Sequence, residues 1–291
     1  MNQTGALPDP KDERDFKIAS FFRRPSTAPL PSSIDYSNLV PIIRNQLSLG
    51  SCVGFAATEM KTAQEATELR AQYQFSPLFI YWLRENMSEG MYLRDAMKIL
   101  REYGVCEEYL LNYQKNLRSR GTLEKFHFNN AKYFKIDSYA RISTVDEMRR
   151  ALVETGPFII SIPVYESFHA VGPDGKIPIP DTSKETFYGG HALVVVGYND
   201  EERYFKIKNS WGESWGNRGF GYLPYEFVEQ YLWDAWTAVD GKSTGKNIFS
   251  DAINFLWFLW YIVSENWYWV ILVTIALGII VYAYLTGRIV S

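Results

Sequence analysis

Three short segments carry side chains that together perform nucleophilic chemistry. The first, Asn45-Gln46-Leu47-Ser48-Leu49-Gly50-Ser51-Cys52-Val53-Gly54-Phe55, sets a cysteine at the start of a helical pattern. A helix N-terminus offers unpaired N–H groups and partial positive charge, which favour thiolate over thiol. Gln46 lies six residues upstream, near enough to fold back over the thiol, and Gly50 permits a close backbone approach. The second segment, Gly189-Gly190-His191-Ala192-Leu193-Val194-Val195-Val196-Gly197-Tyr198, opens a β-branched run with a histidine. In the third, Lys208 to Asn217, Asn209 ends a strand-like stretch and precedes Trp211 and Trp215 among glycines. A cysteine nucleophile needs a base to take its proton and a third group to orient that base. Cys52, His191 and Asn209 supply those three types. Singly, each has an ordinary reading: a packed thiol, a half-buried histidine, a turn asparagine.

The elements that must position them follow from periodicity. Val53, Ala56, Ala57, Met60 and Ala63 recur at helical spacing from Ser51, with Glu59, Lys61 and Glu65 on other faces. Residues 76–87 and 91–103 read as two more helices, the second stopped at Gly104. A fourth spans 144–155, with Thr144 as N-cap and Glu147 three residues on. Strands are expected over 157–164, 191–198 and 203–208, and more weakly from Phe220 to Leu223. Helices come first and strands later, which favours an α+β protein of two subdomains over alternating βαβ units.

Composition narrows the function classes. The chain has 291 residues, 47% apolar and 22% charged, which excludes a disordered or collagen-like chain. Two cysteines build neither a disulfide framework nor a four-cysteine zinc site. No metal or cofactor is expected. A net charge of −3, from 30 basic and 33 acidic residues, argues against a nucleic-acid partner. Met1 to Lys17 is polar and does not read as a secretory leader. Residues 18–33, rich in proline and serine, read as an extended lead-in, so residues 1–29 form an extension ahead of the domain.

The 18 Phe, 20 Tyr and 9 Trp are unevenly placed: ten of them, with four tryptophans, fall in residues 254–285. Residues 266–287 contain no charge. As a helix they would extend about 33 Å against a hydrocarbon core of about 30 Å, so a single transmembrane span is expected there. Trp267, Tyr268 and Trp269 at one end, and Tyr282 and Tyr284 at the other, fit interfacial belts. Residues 241–253 read as a linker, 254–265 as an aromatic interfacial segment and 288–291 as a short tail. A lipid bilayer is thus an expected partner.

With these residues in hand, the sequence resembles the papain family of cysteine peptidases from Leu30-Pro31-Ser32-Ser33-Ile34-Asp35-Tyr36 to about Asp240. The matching features are Gln46 six residues before Cys52, His191-Ala192 before an apolar strand, and Asn209-Ser210-Trp211-Gly212 followed by Trp215-Gly216. The resemblance implies a helical left subdomain and a β-barrel-like right subdomain with the cleft between. It also implies hydrolysis of peptide or protein substrates, with Cys52 as nucleophile and His191 as its ion-pair partner and later proton donor. Asn209 would orient the histidine. Gln46 and the Cys52 N–H would form the oxyanion hole, and Trp211 would shield the Asn209–His191 bond. Gly50 and Ser51 would support the nucleophile. Gly90 and Met91, within Ser88-Glu89-Gly90-Met91, and Gly190 would meet substrate backbone.

Departures accompany the match. Leu49 stands where secreted members carry cysteine, Val53 where tryptophan follows the nucleophile, and Gly190 where Asp or Asn is common. Only about 29 residues precede Leu30 in place of a long pro-segment, which leaves the restraint of the enzyme open. These traits resemble a disulfide-poor prokaryotic branch, as do Pro8 to Phe16, Leu93-Arg94-Asp95-Ala96 and Tyr103-Gly104-Val105-Cys106. Cys106 reads as a packed thiol, His127 as surface or strand filler, and His169 as a loop residue that could border the cleft. A C-terminal anchor without a leader implies a catalytic domain on the cytoplasmic side. Export, or insertion with the body outside, is the alternative. A peptide-binding membrane module, or a Cys–His amidase or transferase, are the rival functions. The oligomeric state is not encoded in any pattern recognised here.

Overall fold

The computed structural model describes residues 3–18, 29–69, 72–85, 90–117 and 121–240. Strand β1 is Ala6–Leu7 and β2 is Ser33–Asp35. Helix α1, Cys52–Leu69, begins at the cysteine and is followed by α2, Pro77–Trp82. Proline at the first position suits a helix start, because its missing N–H would lack a partner there. The short strand β3, Met91–Tyr92, leads directly into α3, Leu93–Glu102. Helices α4, Tyr113–Asn116, and α5, Lys125–Ala131, complete the helical half.

The second half is mainly β-sheet. It comprises β4 (Ile136–Ile142), α6 (Val145–Thr155), β5 (Phe158–Tyr165), α7 (Glu166–His169), β6 (Phe187–Asn199), β7 (Tyr204–Lys208), β8 (Phe220–Pro224), α8 (Tyr225–Tyr231) and β9 (Asp234–Asp240). Strand β6 is the hub. It pairs antiparallel with β5, placing His191 opposite Ile162, and with β7, placing Val194 opposite Lys208. It also takes β1 and β2 along its length. Burial of Phe158, Ile160, Leu193, Val195, Phe205, Ile207 and Trp211 in one cluster makes this half a packed core. The α+β reading with a helical half and a sheet half therefore stands.

Several expectations need correction. The helix expected over 91–103 opens as a strand, because Met91 N–H donates to Gly5 carbonyl at 2.8 Å before the helical turns begin. The helix expected over 76–87 ends at Trp82. Glu59, Lys61 and Glu65, on other faces of α1 than the apolar stripe, are nonetheless all buried. The helix is central, packed on β6 on one side and on α2 and α3 on the other. Its charges are paired instead of solvated: Glu59 with Lys208, and Lys61 with both Glu65 and Asp240. His127 is neither surface nor strand. It is buried in α5, where its Nδ1 accepts from Glu124 N–H at 2.9 Å in a reciprocal cap.

The N-terminal stretch packs into the domain. Residues of two motifs far apart in sequence meet around Asp9. Its Oδ2 accepts from Trp236 Nε1 at 2.7 Å and its Oδ1 from Arg94 N–H at 3.2 Å, while its own N–H donates to Asp234 at 2.8 Å. Arg94 pairs with Asp15 at 2.7 Å, and Arg141 bridges Asp15 and Asp234. This buried network anchors residues 9–15 between the two halves.

Among the described residues, no helix is long and apolar enough to cross a membrane. The linker at 241–253, the interfacial segment at 254–265, the span at 266–287 and the tail at 288–291 all lie outside those residues.

Candidate active site

Helix α1 and strand β6 bring the first two segments together, and the loop after β7 adds the third. Cys52 is the first residue of α1 and is fully buried. His191 lies on β6, also fully buried. Because β7 ends at Lys208 opposite Val194, the next residue leaves the sheet beside His191. There Asn209 Oδ1 lies 2.8 Å from His191 Nε2. The same Oδ1 accepts from Ser210 N–H at 2.7 Å, which fixes the amide orientation. An amide oxygen only accepts, so Nε2 carries the ring proton and Nδ1 the lone pair. That Nδ1 is buried and has no hydrogen-bond partner. It is the free base of the site.

Trp211 covers this pair. Its ring lies 4.6 Å from that of His191 at 32°, and it is almost wholly buried. His169, expected in a loop, is instead the last residue of α7, and it stacks on the same indole at 4.7 Å and 8°.

Gln46 is fully buried beside the thiol loop. Its N–H donates to Ser210 carbonyl at 2.8 Å, which ties the loop to the segment holding Asn209. Ser210 Oγ donates to Gln46 Oε1 at 2.7 Å. With the oxygen so occupied, Nε2 faces outward as a donor, to Gln3 carbonyl at 2.8 Å and Leu49 carbonyl at 2.9 Å. Ser51 precedes the cysteine and its carbonyl accepts from Phe55 N–H at 3.1 Å.

The cleft is closed by the protein's own N-terminal strand. Gly5 N–H donates to Gly190 carbonyl at 2.9 Å, and Gly5 carbonyl accepts from Met91 N–H at 2.8 Å. Thr4 Oγ1 donates to Tyr188 carbonyl at 2.6 Å. Residues 3–7 thus bridge both walls, pairing Ala6 with Gly190 on one side and with Met91 on the other. The three positions expected to meet substrate backbone, Gly90, Met91 and Gly190, all meet this strand. A Cβ on Gly90 would lie 3.0 Å from Gly5 carbonyl oxygen. Ser88 and Glu89 of that wall lie outside the described residues. Residues 3–7 therefore occupy backbone groups of Met91 and Gly190 that substrate is expected to use.

Occlusion sets the protonation state. Burial pushes the Cys52 thiol up to about 11, against N–H groups of Ala192, Val53, Cys52 and Gly5 that favour thiolate. Burial likewise holds His191 down at about 4, against the bond it donates to Asn209. In the closed cleft, burial thus favours the neutral form of both groups.

The departures also find causes. At Gly190 a Cβ would fall 2.1 Å from the Trp233 ring, so that indole occupies the volume a larger residue would need. Cys106 is a free, buried thiol, as is Cys52, and burial holds its pKa well above the usual value. Among the described residues, no group of three or more His, Cys, Asp or Glu is placed to hold a metal ion. Sequence reasoning missed Tyr113, Ser210 and the strand at 3–7. Ser210 sat in the quoted motif, but nothing in its type announced a bond to Gln46.

Known proteins resemble the chain in sequence and in fold. A family model described as papain family cysteine protease matches residues 30–230. An uncharacterised peptidase C1-like protein of Acanthamoeba polyphaga mimivirus is 33% identical over 213 residues, covering 66% of this chain and 68% of that protein. Cathepsin K of Mus musculus is 28% identical over 204 residues, covering 67% of this chain and 60% of its own length. Among solved structures, xylellain, a cysteine protease from Xylella fastidiosa, superposes with a TM-score of 0.72 at 29% identity, over 83% of this chain and 97% of that one. The chain belongs to the papain family of cysteine peptidases.

Proposed function

We propose that this cysteine peptidase works through Cys52, His191 and Asn209 from a membrane tether, in a domain on the cytoplasmic side. The observation that carries the mechanism is the His191–Asn209 bond, which leaves Nδ1 as an unpartnered buried base. Once the N-terminal strand withdraws, the Cys52 proton moves to His191 Nδ1 and the thiolate attacks the substrate carbonyl. The oxyanion takes hydrogen bonds from Cys52 N–H and Gln46 Nε2. His191 then protonates the leaving amine, and water releases the acyl group from Cys52. Asn209 keeps the ring in register throughout, and Trp211 excludes water from their bond.

Membrane tethering rests on the uncharged run at 266–287 and its flanking aromatics. Cytoplasmic placement rests on the paucity of cysteine, two in 291 residues. A prokaryotic, disulfide-poor branch is supported by Leu49 in place of cysteine and by the likeness to xylellain. The functional test is turnover of a peptide library by wild type and Cys52→Ala, beside muropeptides and glutamine–amine pairs. Peptide cleavage lost in Cys52→Ala is expected. Turnover confined to the other two substrates would replace the peptidase assignment with an amidase or a transferase. Orientation is tested by an impermeant thiol reagent on intact cells carrying an engineered surface cysteine. Labelling from outside would refute the cytoplasmic placement.

A further inference from the structure

The oxyanion hole needs two donors held at fixed separation: the Cys52 N–H on a helix and Gln46 Nε2 on a loop. The connecting loop 46–51 is tied internally through Leu49 carbonyl, which accepts from Ser51 N–H at 2.7 Å and from Gln46 Nε2 at 2.9 Å, while its backbone closure onto Gln46 is weaker. Leu49 N–H reaches Gln46 carbonyl at only 3.4 Å, and Leu47 sits at a positive φ of 55°. Leu47 N–H donates to Asn45 Oδ1 at 2.8 Å, which steadies that turn but not the loop's far end. None of these bonds joins Gln46 to Ser51 directly.

Tyr113 supplies that link. It comes from α4 in the helical half and is buried to 2% exposure. Its hydroxyl donates to Gln46 carbonyl at 2.6 Å and lies 2.7 Å from Ser51 Oγ. A phenol has one proton. That proton is committed to the carbonyl, so the Ser51 contact is made with the serine's proton. One oxygen atom therefore joins both ends of the loop, the residue bearing the side-chain donor and the residue before the nucleophile.

The phenol is itself held from three sides. Its ring meets Phe55 of α1 edge-on at 4.7 Å. Its N–H donates to Glu108 Oε1 at 2.7 Å, and Glu108 pairs with Arg44 at 2.8 Å, two residues ahead of Gln46. Arg44 also donates to Phe75 carbonyl at 2.8 Å. The brace thus closes on the same loop it steadies.

We propose that Tyr113 is a positioning residue for the oxyanion hole, its hydroxyl fixing Gln46 relative to Cys52 through bonds to Gln46 carbonyl and Ser51 Oγ. This rests on the peptidase assignment above. The hydroxyl touches no substrate atom. It acts through the geometry of Gln46, so its loss should weaken what is bound in the hole and leave thiol reactivity alone.

The test uses full-length Tyr113→Phe, which keeps the ring packed on Phe55 and deletes only the oxygen. Removing an oxyanion donor outright costs about 100- to 1,000-fold in kcat, so loosening one is expected to cost about tenfold. KM for a fluorogenic peptide should stay within about twofold, since ground-state contacts are untouched. Binding of a peptide aldehyde, whose hemithioacetal oxygen occupies the hole, should weaken by the same factor as kcat. Cys52 alkylation by iodoacetamide forms no oxyanion and should be unchanged. It also reads strand opening equally in both proteins. Ser51→Ala removes the other bond and should lower kcat and aldehyde binding in the same pattern. It stands in if Tyr113→Phe does not accumulate. Unchanged kcat and aldehyde binding would overturn the proposal, as would equal losses in alkylation, KM and kcat. If wild type shows neither peptide turnover nor Cys52 labelling, the peptidase mechanism falls and this inference with it. If wild type turns over and the variants match it, only the role of Tyr113 falls.

Discussion

Gly5→Ala is the smallest change that should open the cleft. A Cβ at Gly5 would lie 2.1 Å from Gly50 carbonyl oxygen, 2.5 Å from its carbon and 2.7 Å from its Cα. All three atoms are backbone at the base of the nucleophile loop, so the neighbour cannot swing away, and the strand must lift. Lifting residue 5 breaks its bonds to Gly190 and Met91. At about 1 kcal/mol net for each hydrogen bond, the docked state loses about 2 kcal/mol. That corresponds to about a 30-fold rise in the open population. The assay is the second-order rate of Cys52 alkylation by iodoacetamide in the full-length protein at pH 7.5, with thermal unfolding as control. The rate should rise about 30-fold in proportion to opening, while the unfolding midpoint moves little. An alkylation rate within twofold of wild type, with residue 5 changed and the fold intact, would refute the account of the strand as the barrier to Cys52.

The remaining expectations concern charge. Asp9 sits in the network that anchors the N-terminal stretch, facing Asp234, Asp15, Arg94, Arg141 and Trp236. Burial first, and then the Asp234 carboxylate, raise it from 3.8 to about 6. An acid raised in the docked state holds its proton more tightly there, so docking gains from protonation. That gain is full below pH 3.8 and gone above about 6, a difference of about a hundredfold at the limit. Residues 3–18 should accordingly become more susceptible to limited proteolysis between pH 5 and 7.5, relative to Asp9→Asn. A flat ratio across that window would sink the coupling. Glu59→Ala leaves Lys208 charged and buried, with only Ile42 carbonyl as partner at 2.7 Å. Breaking such a pair costs about 3–5 kcal/mol, to be read from the urea midpoint; a loss under about 1 kcal/mol would show the lysine finds water.

What could be read beforehand was what local chemistry imposes. Cys52, His191 and Asn209 each sit where a change of element is written in the residues: a helix start, a β-branched run, a strand end. The meeting of His191 and Asn209 follows from the β6–β7 register, which the strand pattern of Val194 to Val196 and Tyr204 to Lys208 announces, while Cys52 arrives by packing of α1 on β6. Strand Ala6–Leu7 was illegible, since two residues carry no alternation and their partners lie some 85 and 184 positions away. Helix α8, Tyr225–Tyr231, passed unnoticed because its aromatics suit strand as readily as helix. The burial of Glu59 and Lys61 had no local signal, because their partners Lys208 and Asp240 lie far along the chain. Tyr113 gave no signal for the same reason: a tyrosine at the start of a four-residue helix becomes a brace only when Gln46 and Ser51 are folded against it.

The central claim is that Cys52 is the nucleophile and His191 its base. The most direct measurement is the site and rate of covalent labelling by a peptidyl epoxide, mapped by peptide mass analysis in the Gly5→Ala protein. The account predicts a single adduct on Cys52, none on Cys106, and loss of the adduct in His191→Ala. An adduct on Cys106, or undiminished labelling of Cys52 in His191→Ala, would contradict it.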